Sequence, residues 1–233
     1  LYADALTTAD NHSVYKTAAK QIAAQRGQSL TFMAKYNERE GSSCHIHLSL
    51  RGEDGATTFW ADGGRTADYD HFVAGLLATM ADFTLLYAPN VNSYKRFAAG
   101  SFAPTTIAWG QDNRTCAVRL VGHGRSARFE NRLPGGDVNP YLALAAMIAG
   151  GLHGIDEGLE LGPELVGNAY DSDLPKVPAT LRDARDAFSS STVARACFGD
   201  EVVDHYTRMA EVELAAFDAA VTDWELRRSF ERM

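Results

Sequence analysis

The chain has 233 residues, 45% of them hydrophobic, and carries 22 Lys and Arg against 30 Asp and Glu, a formal charge of -8. That length holds one large domain or two small ones, the hydrophobic content is ordinary for a soluble protein, and the acidity argues against nucleic acid as the main partner. No apolar run approaches the ~20 residues of a membrane-spanning helix, and the opening residues do not read as a signal peptide. The first residue is Leu1 rather than Met, so further chain is expected upstream. Cys44, Cys116 and Cys197 lack metal-type spacing, and an odd count points to reduced thiols in a cytoplasmic protein.

In chain order, an amphipathic helix is expected after Thr8-Ala9-Asp10, running to about Gln25, with Asp10 or Ser13 as its cap and Gly27 as its stop. Ser29 to Lys35 is apolar and β-rich and reads as a strand; Cys44 to Leu50 alternates and reads as another. Gly52 to Gly55 is a turn. Thr66 to Tyr87 has helical periodicity, closed by Ala88-Pro89-Asn90, and Asn92 to Pro104 is irregular. Thr105 to Trp109, Thr115 to Val121 and Ala127 to Arg132 are short strand candidates. A long helix is expected from about Asn139 to Leu159, with Pro140 in its first turn. Thr180 to Phe188 and Asp200 to Val221 look helical. No repeat or linker divides the chain, so short strands followed by helices predict one α+β domain.

Residues two apart share a face of a strand. Cys44 to Leu50 therefore shows His45, His47 and Ser49 on one face and Cys44, Ile46, Leu48 and Leu50 on the other. Two such histidines are commonly plain surface residues. Arg128, Glu130 and Arg132 share a face of the last strand. They form either a surface ion-pair ladder, worth little, or a metal-ligating carboxylate flanked by two anion-binding guanidiniums. Arg114, Arg119 and Arg125 precede them, so an acidic chain concentrates positive charge in one stretch; a small anionic substrate would explain this, and scattered surface arginines are the plain alternative. Phosphoryl transfer needs that second arrangement, because its catalysis is mostly positioning and charge neutralisation. No GxxxxGK[ST] loop occurs, and Gly135-Gly136 reads as a turn more than a phosphate cradle.

Four ordered segments resemble one family. Gly41-Ser42-Ser43-Cys44-His45-Ile46-His47-Leu48-Ser49-Leu50 is similar to the GSGMHxHxSL signature of glutamine synthetases. Asn92-Ser93-Tyr94-Lys95-Arg96, Ala103-Pro104 and Asn113 to Arg119 resemble NSYKR…AP…NRSAAVR. Arg128 to Arg132 followed by Asn139 to Ala143 resembles RxExR…NPYLA, and Tyr2 to Leu6 and Asp223 to Glu225 also fit. The resemblance implies the glutamine synthetase/guanidino kinase catalytic-domain fold, a curved antiparallel sheet flanked by helices. Residues 1–233 would be its C-terminal portion, and the family's β-grasp N-terminal domain is not in this chain.

By that resemblance, His45 and Glu130 match metal ligands, for Mg2+ or Mn2+, with further carboxylate ligands expected upstream of Leu1. His47, Ser49, Arg119 and Arg128 match ATP-contacting positions. Gly41, Arg96 and Arg132 match the positions that hold glutamate. Arg114 matches the arginine facing the transferred phosphoryl group, and Arg96 and Arg114 are the catalytic candidates. The implied chemistry phosphorylates the γ-carboxylate of glutamate with ATP, then lets an amine displace phosphate. The implied assembly is a homo-oligomer, a dodecamer of two rings.

Two positions depart from the pattern. Glu40 stands where the family has Asn before the signature Gly. Phe102 stands before Ala103-Pro104, where ammonia-using members carry a glutamate that binds ammonium and takes its proton. Phenylalanine does neither, although it can stack on an alkyl chain or cap an organic cation. With the Gly-Ser-Ser-Cys-His variant, this resembles the glutamine-synthetase-like branch acting on polyamines or ethanolamine, and makes Phe102 an amine-site candidate. A true ammonia-using glutamine synthetase, a guanidino-kinase-like phosphotransferase and a non-catalytic relative are the competing readings.

Overall fold

Residues 3–232 are described by a computed structural model of the chain; Tyr2, which opens the Tyr2-to-Leu6 motif, lies outside them. The alternation in the two chemistry-bearing strands is what the sheet is built on. β1 (Ile46–Leu48) pairs antiparallel with β6 (Arg128–Asn131), and β6 pairs antiparallel with β5 (Val118–Val121). β4 (Trp109–Gln111) closes the far edge, giving the order β1-β6-β5-β4. Leu48, Phe129 and Leu120 stand opposite one another and point into the core with Cys44, Ile46 and Leu50. The other face is left to polar side chains.

The sheet is mixed rather than antiparallel throughout, because β4 and β5 run parallel. The 112–117 loop carries the chain back to the start of β4; Asp112 there takes a left-handed backbone (φ 52°), and its N–H donates to Leu120 O at 2.9 Å. A second, two-stranded sheet joins β2 (Trp60–Ala61) to β3 (Gly64–Arg65). Asp62 and Gly63 both have positive φ, the requirement of a two-residue hairpin turn. The sequence reading overlooked this Asp-Gly signal.

Helices cover the core face. α1 (Ala5–Gln25) starts before the expected Asp10 or Ser13 cap: Asp4 caps it, accepting from Thr7 N at 2.9 Å. The expected Thr66-to-Tyr87 helix is two, α2 (Ala67–Ala78) and α3 (Met80–Tyr87), parted at Thr79. The Thr79 hydroxyl donates back to Gly75 O at 2.9 Å, a bond that bends helices. α4 (Val91–Tyr94) is a short turn in the stretch read as irregular. α5 (Pro140–Asp156) follows, with Asn139 accepting from Tyr141 N and Leu142 N, and Pro140 at its start as expected. α6 (Leu181–Ser190), α7 (Thr192–Phe198), α8 (Asp200–Ala219) and α9 (Asp223–Ser229) complete the chain; α7 and α9 were not foreseen. No helix of the described residues is long and apolar enough to cross a membrane.

Ser29 to Lys35 forms no strand. No sheet edge meets it. Its backbone is satisfied instead by Asn92, whose amide accepts from Lys35 N and donates to Lys35 O, both at 2.9 Å, and by Ser42 N donating to Ala34 O. The tertiary partner overrides the β-rich composition.

α2 and α5 approach so closely that side chains are excluded between them. A Cβ on Gly154 would lie 2.1 Å from His71 O, and one on Gly75 would lie 2.2 Å from Gly150 O. Backbone cannot swing aside as a flexible side chain does. Gly154→Ala is therefore expected to lower the unfolding free energy by about 1–3 kcal/mol, read as a lower urea midpoint; an unchanged midpoint would show that the two helices separate freely.

Candidate active site

Register across the sheet assembles one row. His47 lies opposite Glu130, and Glu130 lies opposite Arg119. Arg132, two residues on from Glu130, shares its face. Glu130 is only 3% exposed. Its Oε1 accepts from Arg132 Nη1 at 2.9 Å and faces His45 Nδ1 at 3.0 Å, while Oε2 accepts from Arg119 Nη1 at 3.0 Å. Arg132 is buried with it. This excludes the surface-ladder reading of Arg128-Glu130-Arg132.

Burial alone would raise the Glu130 pKa. Hydrogen bonds from His45 and Arg119 and the charge of Arg132 overcome that, and hold the carboxyl well below the usual glutamate range. Arg119 is fixed from its other side by Asp112, which accepts from Arg119 Nε at 2.8 Å and from Nη2. The sequence reading did not single out Asp112. Its signal was faint: an acidic residue in a loop just before a strand that carries an arginine.

The two histidines differ. Arg128 Nε donates to His47 Nδ1 at 3.2 Å, so Nδ1 holds the lone pair and any ring proton sits on Nε2. Burial lowers the His47 pKa against the opposing pull of Glu130, so the ring is neutral at pH 7. At His45 an ionised carboxylate can only accept, so Nδ1 carries the proton towards Glu130. His45 Nε2 is then a buried nitrogen with no hydrogen-bond partner. A free imidazole nitrogen beside an ionised carboxylate suits a divalent cation. The pair is part of a coordination shell only, and among the described residues no group of three or more His, Cys, Asp and Glu forms a metal cluster.

Arg96 lies deeper, 2% exposed. Its Nη1 donates to Ser43 Oγ at 3.1 Å and its Nη2 to Leu133 O. Burial pushes its pKa down to about 10, which leaves it cationic at neutral pH. Gly41 passes directly over it: a Cβ there would meet Arg96 Cγ at 2.6 Å. Glu40, beside Gly41, is exposed.

Phe102 is 58% exposed with a left-handed backbone (φ 57°), and its carbonyl accepts from Arg132 Nη2 at 3.3 Å. Its ring lines a cleft of about 440 Å³ with Asp112, Arg114, Glu164 and Val166. Arg114 is exposed on the return loop and makes no ion pair with Glu130. Ser49 is half-buried one residue beyond β1. Seven of the eleven expected positions thus contact the other two, Glu130 and Arg96, directly or through one residue, whereas Arg114 and Ser49 remain at the rim.

Over residues 1–229 the chain matches the family described as "Glutamine synthetase, catalytic domain". It belongs to the glutamine synthetase family. It is 66% identical over 232 residues to the gamma-glutamylethanolamide synthetase GlnA4 of Streptomyces coelicolor, covering 100% of this chain and 50% of that protein. It is 40% identical over 235 residues to a glutamate–isopropylamine ligase of a Pseudomonas species, covering 97% and 51%. The solved structure titled "GmaS/ADP complex" superposes with a TM-score of 0.91 at 34% identity, covering 99% of this chain and 56% of that one. The chain therefore spans about half the length of the curated relatives it matches. The expected glutamine synthetase fold and the likeness to the family's amine-ligase branch both hold.

In this glutamine synthetase fold the Glu130 carboxylate is the counter-charge for two buried or half-buried arginines. Glu130→Ala leaves them unpaired and is expected to cost about 3–5 kcal/mol of stability. The sign with pH follows from the depressed pKa: the wild-type contribution is complete above the ordinary glutamate value of 4.5 and is lost as pH falls towards the folded-state value. Denaturant unfolding at pH 7 and at pH 3.5 checks this, with the gap between wild type and variant narrowing at the lower pH; no gap at pH 7 would contradict the structural role.

Proposed function

We propose that the protein carrying this chain is an ATP-dependent glutamate–amine ligase that works through γ-glutamyl phosphate and takes an organic amine of the ethanolamine or polyamine kind. The observation that carries this is Phe102: an apolar residue whose carbonyl accepts from Arg132 of the Glu130 centre and which lines the neighbouring cleft, at the position where ammonia-using members hold a carboxylate. The amine-ligase names of the similar proteins support the same reading.

Glutamate lies with its α-carboxylate on Arg96 and its chain along the Gly41 loop, which has no side chain at Gly41 and so packs directly against Arg96. Arg132 directs the γ-carboxylate. ATP phosphates meet Arg119 and Arg128, with His47 and Ser49 at the nucleotide, a role in keeping with the ADP named in the similar solved structure. His45 and Glu130 would hold Mg2+ or Mn2+, which when bound would offset the charge of the phosphate groups. Further carboxylate ligands and the β-grasp domain come from the rest of the protein.

A γ-carboxylate oxygen attacks the γ-phosphorus of ATP, the bond to the β,γ-bridging oxygen breaks, and ADP leaves. The amine nitrogen then attacks the acyl carbon, the bond from that carbon to the phosphate oxygen breaks, and the amine proton leaves with the departing phosphate. Arg114, on the loop lining the cleft with Phe102, swings in to the transferring phosphoryl group. Phe102 neither binds ammonium nor takes its proton, and packs on the carbon chain of the acceptor. The free thiols fit a cytoplasmic enzyme, and the exposed Val14, Tyr15, Trp224 and Phe230 fit burial in a ring assembly of the family's dodecameric kind.

A phosphate-release assay of the full-length protein with glutamate, ATP and a panel of amines tests the reading. Ethanolamine or a diamine is expected to support turnover at least roughly tenfold better than ammonium, and Phe102→Glu is expected to narrow that preference. Turnover with ammonium alone would return the protein to glutamine synthesis. No turnover with any acceptor would favour a non-catalytic relative, and a phosphorylated guanidine as product would favour a phosphotransferase.

A further inference from the structure

Arg96 is buried and fastened at both terminal nitrogens, yet its Nε has no hydrogen-bond partner among the described residues. Asp137 Oδ1 is buried and unpartnered in the same way. Both atoms border Gly135: a Cβ there would stand 2.6 Å from Asp137 Oδ1 and 3.6 Å from Arg96 Nε. An anion and a cation therefore border the same residue, which has no side chain to separate them, and the Asp137 charge acts on Arg96; a bridging water would complete the link.

Asp137 is itself held rigidly. Its Oδ2 accepts from Asn90 Nδ2 at 2.8 Å and from Ser93 Oγ at 2.6 Å, which fastens the first turn of α4, the element that runs into Arg96. Lys16 of α1 donates to Gly136 O at 2.9 Å and Val138 O at 3.2 Å, the carbonyls on either side of Asp137. Gly136 N donates to Ser42 O and Cys44 N to Pro134 O, so the same segment is bound to the loop containing Gly41 and Ser43. None of the four motifs includes Asp137, and no step of the chemistry uses it.

We infer that Asp137 is the positioning residue for Arg96: its inner oxygen orients the guanidinium for the glutamate carboxylate while its outer oxygen locks α4 and the glutamate loop together. This rests on the glutamate-binding role proposed for Arg96.

Asp137→Asn separates the two functions of the carboxylate. Asn90 and Ser93 both donate to the outer oxygen, so the amide must turn its carbonyl to them and its NH2 towards the Arg96 N–H. The cap survives and the pairing is reversed. In the full-length enzyme, glutamate KM is expected to rise roughly 10- to 100-fold, with the ATP KM within about threefold of wild type and the melting temperature little changed. Ser93→Ala removes two cap bonds, the one to Asp137 Oδ2 and the one from Asn90 N, and keeps the charge; it is expected to lower the melting temperature and leave glutamate KM within about threefold. Calorimetric titration of glutamate into each protein provides a reading independent of turnover. Parallel behaviour of the two variants, or a wild-type glutamate affinity in Asp137→Asn, would overturn the positioning role while leaving the ligase reading intact. A wild-type protein that neither binds nor consumes glutamate would overturn both.

Discussion

The site depends on one buried, ionised carboxylate. An isolated charge at the depth of Glu130 costs several kcal/mol, and the cost is offset only because Arg119, Arg132 and His45 converge on it from two neighbouring strands and from its own. That requirement sets the register of the sheet. A slip of one residue along β6 would send Glu130 into the apolar layer of Leu48, Phe129 and Leu120 and turn Phe129 outward. Fold and site are thus specified by the same pairing. It also gathers arginines in one place within a chain of net charge -8: Glu130 and Asp112 together offset Arg119 and Arg132.

A second centre is built by close approach rather than by charge. Gly41 passes Arg96 with no room for a Cβ, and Gly135 passes Asp137 in the same way beside Arg96, so the loops are drawn down around a guanidinium whose terminal nitrogens are already engaged. The consequence is stiffness. Arg96 donates to Ser43 and Leu133, Asn92 bonds Lys35, and Asp137 fastens α4, so the Arg96 side of the site is already ordered. Phe102 and Arg114 contrast with this: both are exposed, on loops that line an open cleft, where an acceptor must enter and a product leave.

Much of this was legible in the sequence, for definite reasons. Period-two alternation placed His45 and His47 together, and Arg128, Glu130 and Arg132 together, because side-chain direction in a strand is a local property. Pro140 and Asn139 marked a helix start by their own chemistry. Strand pairing is not local. Nothing in the residues said that Arg119 would face Glu130, that β4 would run parallel to β5, or that Asp112 would brace Arg119. Ser29 to Lys35 misled because its composition suits a strand but no partner strand lies beside it, and Thr79 broke a helix through a hydroxyl bond that periodicity does not register. Asp137 was hidden for a related reason: its function lies in contacts to residues more than forty positions away.

The central claim is that these two centres activate a carboxylate of glutamate by phosphorylating it. Oxygen tracing reads this directly. Full-length protein would be supplied with ATP, an organic amine and glutamate labelled with heavy oxygen in the γ-carboxylate, and the released phosphate examined by mass spectrometry. One labelled oxygen per phosphate, with one γ-glutamyl amide formed for each, is the predicted result. Phosphate free of label, released without amide, would contradict the account.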